Sequence, residues 1–203
     1  MSEILFIRHA ETDMAGTFCG LSDPELNTRG YVQLAELIDK LRTEDIAAVY
    51  TSDLRRSYTT ASAVAEAFII DCQARPALRE ISFGQWEGFT WEQIERQNEA
   101  YAQRWITDYP RLPAPGGENI CDFEQRVLNE MKFMITEVQN RSRGIVVITH
   151  AGVLRTVLCK LLDCSEEEAW NRTRSYCSIV RYPVTHSSFL WQEHWDDLPR
   201  PAH

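Results

Sequence analysis

An arginine and a histidine stand side by side at Arg8-His9, directly after the apolar run Ile4-Leu5-Phe6-Ile7. A guanidinium can grip two phosphate oxygens at once, and a neutral imidazole can attack phosphorus. The pair points to a phosphate pocket. A second histidine has the same setting, where Ile145-Val146-Val147-Ile148-Thr149 runs into His150-Ala151-Gly152. The chain holds five histidines, and two of them end apolar runs just before small residues. A third basic feature, Arg55-Arg56, follows Ser52-Asp53-Leu54 in what reads as the first turn of a helix. Free N–H groups and the helix dipole favour an anion there. Arginine in that turn opposes the dipole, so the pair is either an anion site or a solvated surface pair.

The elements that must hold these groups follow from the apolar pattern. Short continuous apolar runs read as buried strands of a parallel sheet, the first of them at its centre, and open α/β sheets place ligands at strand C-termini. Both histidines fall at such ends. After a loop over 13–28, Leu34, Leu37, Ile38 and Leu41 mark one face of a helix reaching Arg42. Ala47–Thr51 reads as a second strand, and Ser52 or Asp53 as the cap of a helix through Thr60, Ala61, Val64 and Phe68. Strand-helix units of this length imply a parallel α/β sheet. Trp91, Ile94, Tyr101 and Trp105 predict one helix over 91–106, whose aromatic stripe is either core or a pocket wall. Asn119 opens a long helix with Phe123, Val127, Met131, Met134 and Val138 on its buried face. A buried helix over 152–162, a strand over 176–182 and an edge strand at 187–192 complete the reading.

Length and charge narrow the class. With 203 residues the chain reads as one domain, 1–203, with an inserted lid at about 80–118. A net charge of -9 argues against non-specific nucleic-acid binding and against anionic membranes. No basic leader with an apolar core opens the chain and no run approaches a membrane span, which predicts a cytoplasmic protein. Its six cysteines, with no C-x-x-C, read as reduced thiols.

Four blocks carry a family resemblance. Arg8-His9-Ala10-Glu11-Thr12 resembles the R-H-G-E-T signature of the histidine phosphatase superfamily, the phosphoglycerate-mutase-like fold. Ser52-Asp53-Leu54-Arg55-Arg56 with Thr59-Thr60-Ala61 resembles its S-x-L-x-R-A-x-x-T-A helix start. Glu80 with Phe83-Gly84-Gln85-Trp86-Glu87-Gly88 resembles E-x-x-F-G-x-W-E-G, and Thr149-His150-Ala151-Gly152 its S/T-H-G-G. The resemblance implies a three-layer α/β/α fold with a mostly parallel sheet and a helical lid. It implies His9 as nucleophile through a phosphohistidine, with Arg8, Arg56 and His150 around the phosphoryl oxygens. Glu80 becomes the general acid and base. No metal and no cofactor is expected, since fixed cations take that part. Ala10 and Ala151 replace common glycines, which is tolerable where φ stays negative, and Ala15 stands where relatives often carry asparagine.

Within the superfamily the chain most resembles bacterial α-ribazole-5'-phosphate phosphatases, through its size, Trp105-x-x-Asp108 and Pro115-Gly116-Gly117-Glu118-Asn119. That implies hydrolysis of α-ribazole 5'-phosphate in cobalamin nucleotide-loop assembly. The alternatives are a broad-specificity phosphatase, a phosphoglycerate mutase, or a non-catalytic phosphate-binding or docking domain. Thr12, Cys19, Gly20, Trp86, Glu118 and Ala151 are expected at the substrate, a small phosphomonoester, on a monomer or homodimer. The stretch 80–117 is aromatic and, on balance, acidic. It predicts a flat apolar leaving alcohol rather than one bearing a second anion.

Overall fold

The computed structural model describes residues 3–109 and 111–184. Ile4 to Ile7 are all at most 2% exposed in strand β1 (Glu3–Arg8). Such continuous burial needs cover on both faces, and two helical layers supply it. Beneath one face lie α1 (Thr28–Leu41) and α2 (Arg55–Phe68), whose Leu34, Leu37, Leu41, Ala61 and Val64 pack against Leu5, Ile7, Val49, Val146 and Ile148. Against the other lie α5 (Ile120–Arg141), α6 (Ala151–Leu161) and α7 (Glu166–Thr173), packing Phe123, Val127, Met131, Val153 and Ala169 against Ile4, Phe6, Tyr50 and Val147. Each buried large apolar side chain stabilises by about 1.5–3 kcal/mol.

The sheet has the order β3-β2-β4-β1-β5, with β2 (Ile46–Thr51), β3 (Cys72–Ala74), β4 (Gly144–Thr149) and β5 (Ile179–Pro183). Pairing is parallel except between β1 and β5, which run antiparallel. The centre is therefore β4, and β1 lies beside it. The strand expected over 176–182 starts later, because Cys177 takes a left-handed φ of 54° and turns the chain first. The edge strand expected at 187–192 lies outside the described residues.

Two helix boundaries differ from expectation. Residues 91–106 form α3 (Trp91–Gln97) and α4 (Glu99–Asp108), not one helix. Asn98 breaks the run: its N–H bonds back to Ile94 while its Oδ1 accepts from Tyr101 N at 3.1 Å, capping the next helix. Neither Ser52 nor Asp53 caps α2. Leu54 holds the cap position, and Asp23 of the 13–27 loop accepts from Arg55 N at 2.6 Å. Ser52 and Asp53 are engaged elsewhere, with His150 and Arg79 respectively. Trp86, Ile94, Ala102 and Ala114 form a core of their own with Phe18, Trp91, Tyr101 and Trp105. Among the described residues, no helix is long and apolar enough to cross a membrane.

Candidate active site

Register brings the two histidines together. Arg8 pairs with Thr149 across β1 and β4, so His9 and His150 are the next residue on adjacent parallel strands. His9 N donates to Thr149 O at 2.9 Å, and the imidazole centroids lie 5.1 Å apart. The neighbouring strand adds Ser52, just beyond β2, whose Oγ lies 2.7 Å from His150 Nε2. Three strand ends thus meet at one point.

His9 Nδ1 lies 2.7 Å from the carbonyl of Ala10, which can only accept. That assigns the proton to Nδ1 and leaves Nε2 with its lone pair. Arg56, in the first turn of α2, is fully buried and donates through Nε to His9 Nε2 at 3.1 Å. Its Nη1 donates to Ser22 O (2.6 Å), and its Nη2 to Gly20 O (2.7 Å) and Cys19 O (3.3 Å). Carbonyls saturate these donors without cancelling the charge. Arg55, by contrast, is exposed and pairs with Glu25 at 2.9 Å.

Arg8 donates through Nη1 to Thr173 O and Arg174 O, at 3.0 and 2.6 Å, and stacks 4.0 Å above Tyr176. These acceptors form the C-terminus of α7, the negative end of its dipole. Arg8 Nε and His150 Nδ1 are buried and have no partner among the described residues. Two orphaned groups flanking one histidine mark a place built for a polar ligand. Burial first, then the charges of Arg56 and Arg8, holds His9 well below the ordinary imidazole value. His150 is pushed well down in the same way, by burial and then Arg56. Both rings are neutral at pH 7.

Glu80 is 7% exposed and accepts from Gly152 N at the start of α6 (3.0 Å) and from Ile81 N (3.0 Å). Its approach requires glycine at 152, where a Cβ would lie 2.2 Å from Glu80 Oε1. Arg126 of α5 secures the backbone behind it, donating to the carbonyls of Ala77, Arg79 and Glu80.

The other expected residues are placed as follows. Cys19 and Gly20 offer their carbonyls to Arg56. Thr12 is buried and accepts from Met14 N. Glu118 pairs with Arg126 at 2.7 Å and accepts from Ser82 N, so it braces the segment carrying Glu80. Ala151 opens α6. Trp86 is 6% exposed and packs edge-on against Phe18, Trp91 and Trp105. The aromatic stripe is therefore the insertion's own core rather than an open wall. Ala10 and Ala151 are not among the described non-glycine residues with positive φ, so alanine fits both positions.

Three residues at the site were given no role in the sequence, though Glu87 stands inside the matched Phe83–Gly88 block. Arg126 and Glu87 hold the segments around it, and Arg155 of α6 sits in electrostatic reach of Glu80 and Arg8. An arginine on a helix otherwise buried at Val153, Leu154, Thr156, Val157 and Leu158 was the available signal.

A family model described as "Histidine phosphatase superfamily (branch 1)" matches residues 4–197. "Phosphoserine phosphatase 1" of Hydrogenobacter thermophilus is 30% identical over 190 residues, covering 92% of this chain and 87% of that protein. "Adenosylcobalamin/alpha-ribazole phosphatase" of Escherichia coli is 28% identical over 167 residues, 81% of each chain. Among solved structures, Bacillus stearothermophilus YhfR superposes with a TM-score of 0.79 at 26% identity, covering 92% of this chain and 93% of that one.

Proposed function

From the premise that this chain belongs to the histidine phosphatase superfamily, branch 1, we propose that it hydrolyses phosphomonoesters through a phosphohistidine on His9. The observation that carries this reading is His9 with Nδ1 held by the Ala10 carbonyl, which leaves the Nε2 lone pair facing the Arg56 Nε–H in the field of Arg56 and Arg8. In the first step Nε2 attacks phosphorus and the P–O ester bond breaks. An incoming phosphoryl oxygen takes over the Arg56 Nε–H. The orphaned donor of Arg8, and His150 Nδ1 once Ser52 donates to Nε2, stabilise the other oxygens. Glu80 gives its proton to the leaving alkoxide, then takes one from the water that hydrolyses the P–N bond.

For the leaving alcohol, α-ribazole 5'-phosphate, and with it a place in cobalamin nucleotide-loop assembly, is supported by the Escherichia coli relative and by the Pro115–Asn119 loop. A phosphorylated amino acid is the second reading, favoured by the position of Arg155 and by the relative from Hydrogenobacter thermophilus. A small, soluble phosphomonoester at a cytoplasmic site is common to both.

Rapid quench with radiolabelled substrate tests the mechanism. Label should appear on the parent protein in an acid-labile, base-stable bond, and His9→Ala should neither trap label nor turn over. Turnover by His9→Ala comparable to the parent would overturn the reading. Binding of phosphate with no turnover of a phosphomonoester panel would instead favour a docking domain.

A further inference from the structure

The contacts described for the Arg8 guanidinium are all neutral. Its Nη1 donates to the carbonyls of Thr173 and Arg174, and its central carbon lies 4.0 Å from the centre of the Tyr176 ring. Arg75 and Arg126 also lie over aromatic rings, those of Phe133 and Phe123, but each has a carboxylate as well, Glu130 and Glu118. A carboxylate fixes a guanidinium and cancels its charge. An aromatic face fixes it through the ring quadrupole and leaves the charge for a ligand. Burial pushes the Tyr176 phenol up, so this side chain adds no anion at neutral pH.

The backbone that presents the ring is strained and tightly tied. Ser178 N donates to Ser175 O at 3.3 Å, closing a turn around Tyr176 and Cys177, and Cys177 takes a φ of 54°. That left-handed conformation costs a residue with a Cβ free energy that glycine would avoid. Cys177 N donates to Arg8 O, and Arg8 N to Ser178 O, both at 3.1 Å. The turn is pinned to the backbone of Arg8, and the strain falls where the ring meets the guanidinium. The same ring stands 5.6 Å from the His9 imidazole, centre to centre. One side chain thus meets both members of the Arg8-His9 pair.

We infer that Tyr176 is a positioning residue for phosphoryl transfer: its face fixes the Arg8 guanidinium beside His9 and leaves the full charge to the phosphoryl group. The inference rests on the phosphatase reading above. Tyr176 lies outside the four matched sequence blocks. It acts through Arg8, whose buried Nε has no partner among the described residues.

The quadrupole can be weakened at nearly constant shape, with Tyr176→Phe as the reference. Replacing that phenylalanine by its 4-fluoro, 3,5-difluoro and 3,4,5-trifluoro analogues should lower kcat/KM on p-nitrophenyl phosphate stepwise, about three- to tenfold over the series. Vanadate, which imitates the five-coordinate phosphoryl group, should inhibit more weakly in the same steps. Tyr176→Leu should lose about thirtyfold, and Tyr176→Phe should restore most of that loss. The fluorinated series carries the test if the leucine variant does not fold. On the residual activity of Arg8→Met the series should be flat. A series without slope on the parent background would overturn the ring face as the source of positioning. An equal slope in Arg8→Met would show that Tyr176 does not act through Arg8, and Tyr176→Phe as slow as Tyr176→Leu would move the effect to the hydroxyl; either overturns the inference. In each case label trapped on His9 leaves the phosphatase reading standing. No turnover of p-nitrophenyl phosphate and no trapped label in the parent would remove that reading itself.

Discussion

Arg56 Nε donates to His9 Nε2 across 3.1 Å, while His9 Nδ1 is held 2.7 Å from the Ala10 carbonyl. The ring is fixed from both ends. A cation faces the nitrogen that must stay unprotonated, and a carbonyl claims the only proton. This geometry selects the reactive tautomer before any substrate arrives.

Its first consequence is a pH profile. His9 and His150 both sit well below the ordinary imidazole value of 6.5, through burial and the nearby arginines. In an NMR titration neither imidazole should move near pH 6.5. The unfolded chain binds protons below that pH and the folded one does not. Stability should therefore be fully present above about 6.5 and fall as the pH is lowered past it. An imidazole of His9 titrating at 6.5 in the folded protein would contradict this.

Arg56→Lys keeps a charge but loses the fork that spans His9 and the carbonyls of Ser22 and Gly20. Steady-state kcat should drop about 10²–10³-fold, the loss expected for one preorganised donor to the transition state. A drop of less than tenfold would show that charge alone suffices.

Gly152→Ala should push Glu80 aside, because the new Cβ would meet Oε1 at 2.2 Å. Loss of the proton donor costs about 10²–10⁴-fold on alkyl phosphates. On p-nitrophenyl phosphate, whose leaving group needs no proton, the loss should be much smaller. Equal losses on both would mean that Glu80 does not protonate the leaving oxygen.

Glu87 accepts from Gly20 N, Leu21 N, Ser22 N and Phe83 N, at 2.9–3.0 Å. Burial pushes its carboxyl up, but donors at Ser22, Phe83 and Leu21 outweigh that and hold it below 4.5. The loop it clamps supplies the carbonyls that orient Arg56. Glu87→Gln should lower stability by about 2 kcal/mol and reduce kcat more than it raises KM. An unchanged kcat in a folded variant would assign Glu87 a purely structural part.

What the sequence revealed was whatever local pattern dictates. The runs Ile4–Ile7 and Ile145–Ile148 announced two strands, and a histidine after each announced a ligand site. The face of α5 was likewise visible in Phe123, Val127, Met131 and Met134. Features set by distant partners were not. Asn98 splits a helix because its side chain caps better than it propagates. The cap of α2 comes from Asp23, far away in sequence. Helix α7 shows little amphipathic pattern, with Ala169 and Thr173 its buried residues. Yet its C-terminus supplies the carbonyls that hold Arg8, so the anchor of that guanidinium was not legible in the sequence.

The strand order has a bearing on how the molecule is made. Strands β1 and β2 do not pair with each other; both pair with β4. On a ribosome, β1 emerges with both edges open and waits until residues 144–149 follow. At about 5–20 residues per second that interval lasts on the order of 7–30 s. Throughout it, Ile4–Ile7 is an apolar strand in search of a neighbour, the kind of segment that attracts other chains. Arrival of β4 closes the sheet and seats His150 beside His9 in one event. The nascent protein is thus aggregation-prone and catalytically silent for most of its synthesis, and gains its pocket late and all at once.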